Sequence, residues 1–353
     1  MNKGKDIQAL HDTLDGFFSI GAAITPSQIS GSHADLLKKH FNCIVAENCM
    51  KPEEIQPVEG QYNWEEADRV IAFAKDNHMK IRFHTLVWHN QTAAWFFKDK
   101  DGNEMTATPE NKKLLLDRLD NHIRAVVGRY KEDVDSWDVV NEVIDPEESN
   151  GHRRSKWYEI TGIEFIEKAF RITREVAGKD AKLYINDFNT NKPDKREAFY
   201  NVVKELLVKD VPIDGVGHQM HINIDWPTAS VIRDTIDLFS ELGLDNQVTE
   251  LDVSVYSNST DKYETIPDEN LVKQGYKYKE IFEVFKEKQQ NISAVVTWGI
   301  ADDHTWLKTF PITRRNLPLI FDEQLKPKYA YWGIVDPSQL PKDENNRVEP
   351  MEW

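Results

Sequence analysis

Eight short apolar runs recur along the chain: Phe17–Ile24, Asn42–Ala46, Lys80–Trp88, Val134–Val140, Lys182–Ile185, Gly215–Met220, Gln247–Leu251 and Ile292–Trp298. Each is rich in β-branched and aromatic residues and reads as a strand. Between them the apolar period lengthens towards 3.6. Trp64, Ala67, Ile71 and Ala74 share one helical face, and Leu115, Leu119, Ile123, Val126 and Tyr130 another. Val202, Val203, Leu206 and Leu207, then Ile281, Phe282 and Phe285, repeat the pattern. Strand followed by helix, eight times over, predicts an α/β fold closed into a (β/α)8 barrel, the TIM barrel. A doubly wound open sheet would carry a glycine-rich phosphate turn after its first strand, and Gly21-Ala22-Ala23 is not one. The pattern predicts one catalytic domain over residues 1–353, with its core at about 17–336. Tyr256–Asn270 and the stretch from Ala301 to about Pro327 read as loops, and the polar tail Pro337–Trp353 as poorly ordered.

The runs end in polar residues. The fourth ends in Asn141-Glu142, the seventh in Glu250, the second in Glu47-Asn48-Cys49-Met50-Lys51. The third carries His84, Trp88 and, beyond it, His89 and Gln91. The fifth ends in Asn186-Asp187-Phe188-Asn189, the sixth in His218-Gln219-Met220-His221, the eighth in Trp298. A single polar strand end commonly just satisfies loop backbone. Seven at equivalent positions of a barrel converge on one rim, where the groups of such folds that do chemistry sit.

The chain has 353 residues, 40% of them hydrophobic, and a net charge of −16. That length accommodates a barrel, which takes about 250 residues plus insertions. The charge argues against nucleic acid and gives no attraction to an anionic membrane. No apolar segment follows Lys3 and Lys5, and no run approaches a membrane span, so a cytoplasmic location is expected. Cys43 and Cys49 are expected to be free thiols, since an extended segment between them exceeds the reach of a disulfide. No metal is called for: the pairs His84 with His89 and His218 with His221 have odd separations, which strands place on opposite faces. No cofactor is called for either, and nothing in the pattern specifies an oligomeric state.

Two carboxylates accompanied by amides, imidazoles and indoles suit glycoside cleavage. That reaction passes through an oxocarbenium-like state and needs one protonated and one ionised carboxyl group. Tryptophans offer flat walls to sugar faces and amides read hydroxyls. Glu142 and Glu250 are the candidate pair.

At this point the sequence resembles the family-10 glycoside hydrolases, the retaining endo-1,4-β-xylanases, from about Ile20 to Ile334. Trp137-Asp138-Val139-Val140-Asn141-Glu142 is similar to the family's acid/base motif, and Val248-Thr249-Glu250-Leu251-Asp252 to its nucleophile motif. The resemblance implies that Glu142 is the general acid/base and Glu250 the nucleophile, their carboxyl groups about 5–5.5 Å apart as retention requires. It implies that His221 steadies Glu250 and Gln219 tunes Glu142, and that Asn141 contacts a sugar 2-hydroxyl. It places Glu47, Asn48, Lys51 and Gln91 on the glycone side. His84 and Trp88 line the point of cleavage, and Trp298 and Trp306 form an aromatic roof. Met220 stands where the family often has Ser, and Phe188 where it often has Tyr; the ring can still stack on an aglycone sugar without its hydroxyl. The substrate implied is xylan or xylo-oligosaccharide. Another retaining barrel β-glycanase and a non-catalytic sugar-binding barrel are the alternatives.

Overall fold

The computed structural model describes residues 7–342. Its strands are β1 Ser19–Ile24, β2 Cys43–Ala46, β3 Lys80–Val87, β4 Ser136–Asn141, β5 Lys182–Asp187, β6 Gly215–His218, β7 His221–Asn223, β8 Asp245–Ser254 and β9 Ile292–Thr297. All pair in parallel in the order β6-β5-β4-β3-β2-β1-β9-β8, and β6 also pairs with β8, which closes the ring. β7 continues β6 and lies beside the far half of β8, with His221 opposite Asp252. The barrel therefore has eight staves, the sixth in two pieces.

The expected helical faces are the ones that pack on the barrel. Leu115, Leu119, Ile123, Val126 and Tyr130 are all buried on the helix Pro109–Tyr130. Its N-terminus is capped by Thr108, whose Oγ1 accepts from the Asn111 N–H at 3.2 Å. The cap contributes about 1 kcal/mol, whereas each buried aliphatic side chain contributes about 1.5–3 kcal/mol, so packing dominates. Val202, Val203 and Leu206, and Ile281, Phe282 and Phe285, are buried in the same way.

Four expectations need correction. The run Gly215–Met220 is not one strand: Met220 takes φ 58°, and the chain breaks before resuming at His221. The run Gln247–Leu251 is part of a ten-residue strand reaching Ser254, because Asp252 finds partners inside the barrel mouth. The loop Tyr256–Asn270 ends early, since the helix Asp268–Glu287 starts within it. The tail is anchored at its start: Leu340 is buried and the Tyr276 hydroxyl donates to the Pro341 carbonyl at 2.9 Å. Residues 343–353 of that tail lie outside the described residues. At the other end, Leu10 and Leu14 join the core ahead of residue 17. Among the described residues no helix is long and apolar enough to cross a membrane.

Candidate active site

A cleft of about 1110 Å³ opens at the C-terminal ends of the strands. The fourteen residues singled out from sequence all line it: Glu47, Asn48, Lys51, His84, Trp88, Gln91, Asn141, Glu142, Phe188, Gln219, His221, Glu250, Trp298 and Trp306.

Glu142 follows the last residue of β4 and takes φ 59°. This left-handed conformation costs a non-glycine residue about 1 kcal/mol or more. Backbone bonds hold it: the Glu142 N–H donates to the Asn186 carbonyl at 2.9 Å, and its own carbonyl accepts from Arg153 Nε at 2.6 Å. Its carboxyl group meets two neutral donors. Trp88 Nε1 donates to Oε2 at 2.9 Å and Gln219 Nε2 to Oε1 at 3.0 Å.

Glu250 sits within β8 and is 5% exposed. Asn186 Nδ2 donates to its Oε1 at 3.0 Å. His221 Nε2 is 3.0 Å from Oε2, and the other ring nitrogen of His221 is 2.9 Å from Asp252 Oδ2. Burial disfavours the imidazolium, but Asp252 and Glu250 outweigh it and raise the His221 pKa to about 10. His221 is thus a cation at neutral pH. Burial also pushes Glu250 up, yet the hydrogen bond from His221 and the neighbouring His84 and His221 rings bring it below the ordinary carboxylate value. Glu250 is therefore held ionised.

The two carboxyl groups are joined by amides. Gln219 Nε2 lies 3.3 Å from Asn141 Oδ1, which also accepts from Asn186 Nδ2 at 2.9 Å. With both bonds taken at its oxygen, Asn141 keeps its NH2 group as the donor for a ligand in the cleft.

Around this centre Lys51 Nζ donates to Asn48 Oδ1 at 2.9 Å and to Gln91 Oε1 at 2.8 Å. Glu47 pairs with His304 at 2.7 Å. Trp298 stands edge-on to the rings of His84 and His221. Trp306 Nε1 donates to Asp252 Oδ2 at 2.8 Å, so Trp306 is tied to the same carboxylate that holds His221. At the opposite end Lys195 Nζ lies 4.2 Å from the centroid of the Phe188 ring.

Three residues in this network were not singled out from sequence, Asp252, Asp138 and Arg82, and Asn186 was named only as a polar strand end without a role. Asp138 is fully buried and holds His84 Nδ1 at 2.8 Å and Arg82 at 3.1 and 2.5 Å. Removing one partner of such a buried pair costs about 3–5 kcal/mol. The available signal was the two-residue spacing of Arg82 to His84 and Glu250 to Asp252, which places each pair on one strand face. Room for Asn186 comes from Gly217, where a Cβ would meet Asn186 Oδ1 at 2.2 Å. Gly215 does the same for Tyr184, whose Cε1 would lie 2.3 Å from a Cβ there.

Among the described residues no group of three or more His, Cys, Asp or Glu side chains is arranged to hold a metal ion. His218 instead bonds Thr190 at 2.8 Å and Asn246 at 2.9 Å. Cys43 and Cys49 are free, and burial pushes both thiols up to about 12, far from thiolate chemistry.

Residues 9–337 match the sequence model of Glycosyl hydrolase family 10. The chain is 54% identical to the thermostable celloxylanase of Thermoclostridium stercorarium, over 95% of this chain and 89% of that protein. It is 49% identical to endo-1,4-beta-xylanase A of Halalkalibacterium halodurans, over 94% of this chain and 87% of that one. Its fold matches that of TsXylA, the intracellular xylanase from Thermoanaerobacterium saccharolyticum, solved as a mutant in complex with xylotriose. The TM-score there is 0.84 at 40% identity, covering 94% of this chain and 99% of that one.

Proposed function

The chain belongs to glycosyl hydrolase family 10 and is a retaining endo-1,4-β-xylanase, in which we propose that Glu250 is the nucleophile and Glu142 the acid/base. One observation carries this assignment of roles. Glu250 pairs with an imidazolium that holds it ionised, whereas the hydrogen bonds to the Glu142 carboxyl group come from neutral donors, Trp88 and Gln219. In the first step Glu250 attacks the anomeric carbon while the Glu142 proton passes to the departing oxygen, and a glycosyl ester forms. The ester removes the charge on Glu250, so an anionic Glu142 no longer faces a second carboxylate. Glu142 then takes a proton from water, which attacks the same carbon and releases Glu250. The amide of Asn141 lies between the two glutamates, where it suits a 2-hydroxyl. Lys51, Asn48, Gln91 and Glu47 suit the glycone side, Trp298 and Trp306 its roof, and Phe188 an aglycone sugar.

Proton NMR of the first products tests the chemistry: β-anomer is expected, and initial α-anomer from a β-linked substrate would refute double displacement. Azide separates the roles. Glu250→Ala with azide should yield the α-glycosyl azide, and Glu142→Ala with an activated aryl xylobioside the β-glycosyl azide. The reverse pattern exchanges the assignments. The substrate reading extends to xylo-oligosaccharides met in the cytoplasm, supported by the likeness to an intracellular xylanase. Recovery of the enzyme chiefly from the medium of intact cells would overturn that location.

A further inference from the structure

We propose that Arg82, deep in the barrel, is a positioning residue for the reaction: through Asp138 and His84 it sets the charge that Glu250 faces from below. The proposal rests on the reading of Glu250 as nucleophile.

A polar column runs down the barrel lumen from Glu250. His84 Nε2 lies 3.9 Å from Glu250 Oε1, and His84 Nδ1 lies 2.8 Å from Asp138 Oδ2. The Arg82 guanidinium holds both oxygens of Asp138, at 3.1 and 2.5 Å. Its Nε donates to Gln247 Oε1 at 2.6 Å, and Gln247 Nε2 donates in turn to the Tyr184 hydroxyl at 3.1 Å and to Ser293 Oγ at 2.9 Å. Arg82 is 2% exposed and Asp138 fully buried. Arg82 does not border the sugar cleft. It lines a second cavity, of about 680 Å³, that also meets Tyr184, Asp245 and Gln247. Any effect of Arg82 on catalysis must therefore travel through the column.

The charges facing Arg82 leave Asp138 as its counterion. Burial pushes Cys43 on β2 up to about 12 and Tyr184 on β5 well above its usual value, so both are neutral. Asp245 on β8 is turned to Tyr184 and Ser293. Lys80 on β3, Asp135 ahead of β4 and Lys182 on β5 border the same lower cavity. Burial opposes the charge on Asp138, and the Arg82 guanidinium, together with the hydrogen bond to His84, overcomes it. Glu250 is faced by His221 from β7, with Asp252 behind it, by Lys51 after β2, by Glu142 after β4, and by His84 and Asp138 from beneath. Replacing Arg82 alters only the last of these. It removes the guanidinium from Asp138 and leaves His84 as the remaining side-chain partner, shifts the balance of charge below Glu250 towards negative, and makes Glu250 hold its proton to higher pH.

The test is kcat/KM against pH on an aryl xylobioside for the wild type, Arg82→Lys, Arg82→Met and the double variant Arg82→Met/Asp138→Asn. In Arg82→Met the acid limb should rise by roughly one pH unit with KM little changed. Arg82→Lys keeps the charge and should leave the limb in place. The double variant removes both charges and should restore the wild-type limb. An unmoved limb in Arg82→Met, or a limb displaced as far in the double variant, would show that Arg82 serves folding alone. If Arg82→Met does not fold, Arg82→Gln, which can still hydrogen-bond Asp138 but carries no charge, takes its place: a raised limb supports the proposal and an unmoved one overturns it. Labelling the wild type with a 2-deoxy-2-fluoro-xylobiosyl inactivator checks the premise separately. Label on Glu250 keeps it, and label on another residue removes both the premise and the proposal, whatever the pH profiles show.

Discussion

The end of β4 and the middle of β8 each present a glutamate to the same cleft, and their surroundings differ in kind. Glu142 lies past its strand in a left-handed conformation and meets an indole and an amide, neither of which changes charge. Glu250 lies within its strand, in extended backbone, against an imidazole that Asp252 keeps cationic. The side chains are identical, so the proposed division of labour rests on whether the hydrogen-bonding neighbours carry charge. Neutral hydrogen-bond donors suit the proposed role of Glu142, which gives up and regains a proton in each cycle. A cationic shell keeps Glu250 available to carbon.

The comparison breaks most severely at Glu250. Glu250→Ala should lower kcat/KM on xylan by about 10⁴-fold or more, with the fold intact by circular dichroism. A residual rate within tenfold of wild type would remove Glu250 from the chemistry. Glu142→Ala should cost about 10²–10⁴-fold on xylan, the usual range for a general acid, and far less on a dinitrophenyl xylobioside that leaves without a proton. Equal losses on both substrates would contradict the acid role.

His221→Asn attacks the cationic shell. A tenfold to hundredfold fall in kcat is expected, roughly the worth of a hydrogen bond to a charged group. The acid limb should move to higher pH, because the low pKa of Glu250 depends on His221. Stability gives an independent reading with a definite sign. A group raised from 6.5 to about 10 stabilises the fold fully below pH 6.5, and that contribution disappears as the pH rises through about 10. The stability gap between wild type and His221→Asn, measured by urea denaturation, should therefore narrow across that window. A constant gap would mean that His221 is not the cation described.

The smallest effect is expected in the neutral shell. Trp88→Phe keeps a ring and removes the N–H given to Glu142, a loss of about 1 kcal/mol or fivefold in kcat/KM. Its acid limb should stay where it is, since no charge near Glu250 changes. A displaced limb would erase the distinction between the two shells.

The barrel was legible because its staves are short apolar runs and its helices bury one face each. Glu142 and Glu250 were legible because each interrupts such a run. Arg82 and Asp138 were not. A charged residue between Ile81 and Phe83, or between Trp137 and Val139, contradicts the rule that strand interiors are apolar. The rule fails here because the lumen of this barrel is polar, and the charge of Arg82 on β3 is answered by Asp138 on the next stave, more than fifty residues along the chain. Asp252 was hidden for a related reason: β8 runs past Leu251, where the apolar run ends, because a carboxylate can remain in the strand when His221 and Trp306 both bond to it. The break in the sixth stave was also invisible, since nothing in Gln219-Met220-His221 forces Met220 into its left-handed conformation.

Gly215 and Gly217 give the barrel a practical constraint. Neither offers a side chain to the cleft, yet the space each leaves is occupied by Tyr184 or by Asn186, whose amide donates to Glu250 and to Asn141. Anyone building a mutant library to broaden substrate range would be tempted to randomise these positions as inert scaffold. Even alanine at Gly217 would push on the amide that bonds Glu250. Variation is better spent around Phe188, whose ring borders the cleft and makes no hydrogen bond to either glutamate.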